Sequence, residues 1–94
     1  MAAYLIGQIK VNDSERWGQY VEGVALSLKP FAASIVMRGE KHGMLAGENP
    51  KDRVVVVEFD TMETLESWFH SDAYQALIPL RDSAADVIIT TYTA

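Results

Sequence analysis

Cysteine is absent from the chain. That excludes disulfides, thiolate nucleophiles and thiolate-ligated metals together, and it suits a reducing compartment. Basic residues are few: eight Lys and Arg stand against thirteen Asp and Glu, for a formal net charge of −5. They are scattered, so no basic stripe is available to neutralise phosphates, and an anionic membrane surface would repel the chain. Neither nucleic acid nor membrane is an expected partner. Long apolar runs are missing, and the opening MAAYLIGQIK lacks a basic leader, so neither a signal peptide nor a spanning helix is read there and a cytoplasmic location is expected. Phosphate cradles are missing too, since Gly39, Gly43 and Gly47 do not lead from a strand into a helix. The only histidines, His42 and His70, fall into no His-x-His, His-Glu-x-x-His or facial-triad spacing, and no metal site is expected.

What the chain does have is apolar side chains, 49% of 94 residues. This is enough for one domain, residues 1–94, whose core is near the lower limit of self-sufficiency. Such a chain commonly finishes burying its apolar surface against another copy of itself.

Residues 3–11 alternate as a strand. Asn12 or Asp13 is placed to cap a helix, with Glu15 in its first turn. Trp17, Tyr20, Val21, Val24 and Leu28 form its single apolar stripe, weakened by Gly18 and Gly23 at about 1 kcal/mol each relative to alanine. Pro30 closes it. A second strand is expected over 34–39 and a turn-rich connection over 41–52, with a short extended piece at Met44-Leu45. Arg53 to Phe59 carries the valine run of a third strand. Thr61 caps a second helix with Met62, Leu65, Trp68 and Phe69 on its apolar face. Ser71-Asp72 breaks and re-caps it, Pro79 starts a further turn carrying Arg81, and 87–93 reads as the last strand.

The order β-α-β-β-α-β predicts an α+β fold of the ferredoxin-like kind, a four-stranded antiparallel sheet with its helices on one face. Strict alternation assigns Leu5, Ile9, Ile35, Met37, Val55, Val57, Phe59, Val87 and Ile89 to the helix-covered face. The other face then receives Tyr4, Ile6, Gln8, Val36, Arg38, Val54, Val56, Glu58, Ile88, Thr90 and Tyr92. That second set is too apolar for water. A second copy of the chain is its natural cover, and two such sheets face to face would enclose a partly polar chamber.

The segments Arg38-Gly39, Arg53 to Phe59, Trp68 to Tyr74 and Arg81 resemble the domain-of-unknown-function 1330 family, of the dimeric α+β barrel superfamily. The resemblance covers nearly the whole chain and is densest from the valine run through Trp68, Ser71, Tyr74 and Gln75 to Arg81. It implies a ferredoxin-like protomer, a homodimer whose sheets form a barrel, and a family of unassigned role. Glu40 departs from it, standing where the family usually has a second glycine, and this puts the local turn in question. Haem-binding relatives exist in the superfamily, but nothing in the motif set recommends a haem here, and no cofactor is expected.

Two groups of residues are candidates for chemistry. Arg38 and Glu58 on the chamber face read either as a ligand-anchoring guanidinium with an acid–base carboxylate, or as a buried ion pair fixing dimer register. Trp68, Ser71, Tyr74 and Arg81 read either as the mouth of a cavity or as a core residue, a cap and a surface ion pair. Tyr4 and Gln8, with Thr90 and Tyr92, would add polar groups to the chamber wall. Two functions follow as expectations. One is a homodimer binding a small anionic or enolic molecule, with cofactor-independent proton transfer, isomerisation or oxygenation as in some superfamily relatives. The other is a noncatalytic dimeric accessory, sensor or scaffold protein.

Overall fold

The computed structural model describes residues 1–94. The elements are β1 (Ala3–Val11), α1 (Ser14–Leu28), β2 (Ala33–Glu40), β3 (Arg53–Phe59), α2 (Met62–Phe69), α3 (Asp72–Gln75), α4 (Ile78–Ala84) and β4 (Ala85–Thr93). All strand pairs are antiparallel, in the order β2-β3-β1-β4. This is the ferredoxin-like sheet expected from the sequence. The second helical region is three short pieces, α2 to α4, with the break and fresh cap at Ser71 and the further turn at Pro79 where the sequence places them.

The local signals act as their chemistry requires. Asp13 accepts from the Arg16 backbone N–H at 3.1 Å and starts α1. Thr61 does the same for Thr64 at 3.1 Å and starts α2. Ser71 accepts from the Tyr74 N–H at 3.3 Å and donates to the Trp68 carbonyl at 2.6 Å, so one hydroxyl joins the end of α2 to the start of α3. Gly23 is where α1 meets the turn before α4: a Cβ there would stand 2.6 Å from a Leu77 methyl. Residues 41–52 are irregular, Met44-Leu45 included, so the extended piece expected there does not form. Instead the Lys41 N–H donates to the Asp52 carbonyl, and the Asn49 amide donates to the Gln8 side-chain oxygen.

The core lies between the helices and one sheet face. Ala3, Leu5, Val57 and Phe59 from the strands meet Tyr20, Leu65, Trp68 and Tyr74 from the helices. Trp68 packs at 5.7 Å from the Phe59 ring and 4.4 Å from the Tyr74 ring, centroid to centroid.

One irregularity in β2 changes the chemistry of both faces. Ile35 lies opposite Val57, but Met37 lies opposite Val56, so an extra residue, Val36, is accommodated as a β-bulge. Because side-chain parity has a period of two, every residue past the bulge changes face. Met37 therefore joins Val56 on the open face, and Arg38 joins Val55 on the helix-covered face. Both assignments are the reverse of those expected from simple alternation.

Candidate functional site

A cavity of about 380 Å³ lies between α1 and the helix-covered face of the sheet. Leu5, Ile9, Val24, Leu28, Val55 and Val57 supply apolar wall, while Tyr20, Trp68 and Tyr74 supply its aromatic end. Arg38, Glu40 and Arg53 also line it, and all three are exposed, so they form its rim. Gly7 gives it bare backbone on the sheet side. This central-strand residue faces the helices between Val55 and Ile89, and a Cβ there would come 3.0 Å from a Val55 methyl. A second cavity of about 360 Å³, lined by Leu65, Phe69, Arg81 and Thr91, shares Leu5, Val87 and Ile89 with the first.

The rim carries Arg38 and Arg53 with one carboxylate, Glu40, the cross-strand neighbour of Arg53, and neither arginine is in an ion pair. The two ion pairs of the protein are Arg16–Asp13 at 3.6 Å and Arg81–Asp82 at 3.1 Å, and neither involves Arg38 or Arg53. Two guanidinium forks at the mouth of an apolar pocket suit an organic anion with an apolar body.

At the aromatic end the polar groups are linked. The Tyr20 and Tyr74 hydroxyl oxygens are 2.9 Å apart, and Arg81 Nη1 donates to Tyr74 Oη at 3.0 Å. Trp68 Nε1 donates to Ser27 Oγ at 2.9 Å, and Ser27 passes its own proton to the Val24 carbonyl at 2.7 Å. Burial works against the Arg81 charge, but the hydrogen bonds to Tyr74 and Asp82 outweigh it and raise its pKa. Burial pushes the Tyr20 hydroxyl well above its ordinary value.

The Tyr20 shift fixes a sign at alkaline pH. The unfolded chain loses this proton near pH 10 while the native state keeps it, so the folded form binds more protons and stability falls as pH rises past about 10. Urea midpoints are expected to fall above about pH 10 with a Tyr20 contribution of up to about 1.4 kcal/mol per pH unit, and Tyr20→Phe should remove that contribution. Equal alkaline slopes in the two proteins would refute it.

The residues singled out from sequence divide between the two faces. Arg38, Trp68 and Tyr74 line the first cavity, and Arg81 holds Tyr74 from the second. Ser71 is a cap. Glu58 lies on the open face opposite Ser34 and Tyr4, and its carboxylate accepts from the Tyr4 hydroxyl at 3.1 Å. That hydrogen bond, and then the carboxylate's charge, raise the Tyr4 pKa. Gln8 lies on the same face, engaged by Asn49. The Arg38–Glu58 pairing expected from alternation is thus corrected: the bulge puts a sheet between the two side chains. His42 and His70 are exposed, and no three His, Asp or Glu side chains converge.

Sequence reasoning missed Gly7, Arg53, Glu40 and the polar role of Tyr20. Tyr20 was readable in principle. A phenol in an otherwise apolar helical stripe must find a buried partner for its hydroxyl. Gly7 and Arg53 carried no comparable signal.

No curated protein matches the sequence. Among solved structures, a protein of unknown function from Rhodopseudomonas palustris, RPA0582, superposes with TM-score 0.84 at 13% identity, covering 99% of this chain and 82% of that one. SnoaB, a cofactor-independent oxygenase from Streptomyces nogalater, gives TM-score 0.72 at 6% identity over 99% and 92%. A dimeric ferredoxin-like protein of unknown function from Thermobifida fusca gives 0.68 at 16% over 100% and 92%. At such identities the likeness is one of fold. The sequence itself is more specific, for residues 2–92 match the domain of unknown function DUF1330, and the chain belongs to that family.

Proposed function

We propose that the protein is a homodimer that binds a small organic anion in the cavity beneath α1, apolar body inward and negative group at Arg38 and Arg53. One observation carries this reading: an apolar cavity of about 380 Å³ whose rim bears two arginines outside any ion pair. The dimer rests on the open sheet face, where Met37 (48% exposed), Ile88 (48%) and Tyr92 (53%) stand beside Ile6, Val54 and Val56. A contiguous apolar face of this kind is a protein–protein contact surface. The dimeric Thermobifida fusca protein of the same fold supports it.

The cavity favours binding over side-chain acid–base catalysis. Glu40 is its only carboxylate, sits at the rim, and Glu58 lies on the other side of the sheet. A second reading, cofactor-independent chemistry on a bound enol or phenol, draws on the Tyr20–Tyr74–Arg81 cluster at the inner end and on the SnoaB likeness. Fold likeness alone carries no reaction across.

The test is a fluorescence titration with 2-naphthoate, an apolar bicycle bearing one carboxylate. Arg38→Ala and Arg53→Ala are each expected to weaken binding about 3- to 10-fold, with affinity falling as salt rises. Saturable binding unaffected by either substitution, or no binding to the wild type, would refute the anion reading.

A further inference from the structure

The tyrosine pair at the inner end of the cavity holds one proton more than the protein can use. Arg81 can only donate, and it donates to Tyr74 Oη. The two phenol oxygens share a single hydrogen bond, and no other protein acceptor engages either hydroxyl. One of the two hydroxyl protons is therefore surplus. Burial decides which. Tyr74 has no exposed surface, whereas Tyr20 keeps 8% of its own. Were Tyr20 the donor, the Tyr74 oxygen would accept twice while its own proton faced no acceptor in the fully buried core, an arrangement native structures avoid. Tyr74 thus donates to Tyr20, and the chain of donors runs from Arg81 through Tyr74 and ends at the Tyr20 proton.

We propose that Tyr20 presents this proton to an oxygen of the ligand, and that the site takes molecules carrying a phenolate, enolate or conjugated carbonyl oxygen on an apolar body. The inference rests on the cavity being a ligand site. Tyr20 and Tyr74 both line that cavity. Of the two indoles lining the cavity, Trp68 spends its N–H on Ser27, while Trp17 packs with its ring 5.0 Å from that of Tyr20 and makes no hydrogen bond. The guanidinium at the head of the chain polarises both hydroxyls in turn, which strengthens the terminal donor toward a negative oxygen. Burial outweighs this polarisation by Arg81 and raises the Tyr20 pKa, so the proton stays in place throughout the neutral range.

The test uses 4-nitrophenol, whose neutral and ionised forms are separately read by absorbance, and which has no carboxylate for the rim. The wild type is expected to favour the bound phenolate over the bound phenol about 10-fold more strongly than Tyr20→Phe does. Tyr74→Phe disturbs the same cluster but leaves the Tyr20 proton, and it should keep the larger part of the preference. Equal preference in wild type and Tyr20→Phe, equal loss in both variants, or failure of the wild type to bind 4-nitrophenolate would each overturn the assignment. Binding of 2-naphthoate separates this inference from the reading of the rim. A wild type that ignores naphthoate yet shows the Tyr20-dependent nitrophenolate preference loses its arginine-anchored anion and keeps its Tyr20 donor.

Discussion

Val56→Asp is expected to turn the proposed dimer into protomers at micromolar concentration without unfolding them. Val56 sits mid-sheet on the open face, opposite Ile6 of β1 and Met37 of β2. In a dimer that closes over this face, the new carboxylate is buried with only apolar cross-strand neighbours, Ile6 and Met37. An uncompensated buried charge costs on the order of 3–5 kcal/mol, which weakens the dimer by roughly two to three and a half orders of magnitude. In the separated protomer the same carboxylate is hydrated, so the circular dichroism spectrum should be retained while the melting temperature becomes less dependent on concentration. Sedimentation velocity checks the outcome. A wild type that sediments as protomers at those concentrations would remove the dimer from the proposal.

Trp68→Ala is expected to destabilise each protomer by about 3–5 kcal/mol, a large share of the 5–15 kcal/mol of a typical domain. The indole is 3% exposed, packs on Phe59 and Tyr74, and holds α1 to α2 through its bond to Ser27. Trp68→Phe keeps most of the ring volume and loses mainly the N–H bond, so its cost should be about 1 kcal/mol. Urea unfolding followed by circular dichroism measures both. If Trp68→Ala unfolded like wild type while ligand binding vanished, the tryptophan would be a ligand contact and not a pillar of the core.

The two predictions draw on parts of the chain that differ in how legible they were. Strands, both long-helix starts and the Ser71 break follow from hydrophobic period and capping chemistry, which act within a few residues. The faces of β1, β3 and β4 follow as well, because nothing interrupts their alternation. Strand β2 is different. Whether Val36 is paired or bulged depends on its partner strand, so the side on which Arg38 emerges is a tertiary decision. The site inherited that uncertainty. A chamber on the open face is what alternation predicts, with Arg38 beside Glu58, whereas the cavity that Arg38 lines lies under α1, with Arg38 at its rim and Tyr20 at its inner end. Tyr20 had been absorbed into an apolar stripe, where its ring belongs and its hydroxyl does not.

Gly7 also makes this pocket easy to resize. Its neighbours across the sheet, Val55 and Ile89, already fill their positions, so the vacant volume is controlled from one backbone site on a rigid central strand. A methyl group there would stand 3.0 Å from Val55 and press that side chain aside, changing the wall of the cavity at a distance from its arginine mouth. Relatives sharing every polar residue described above could then sort molecules of different girth by this position alone, with one codon setting the gauge.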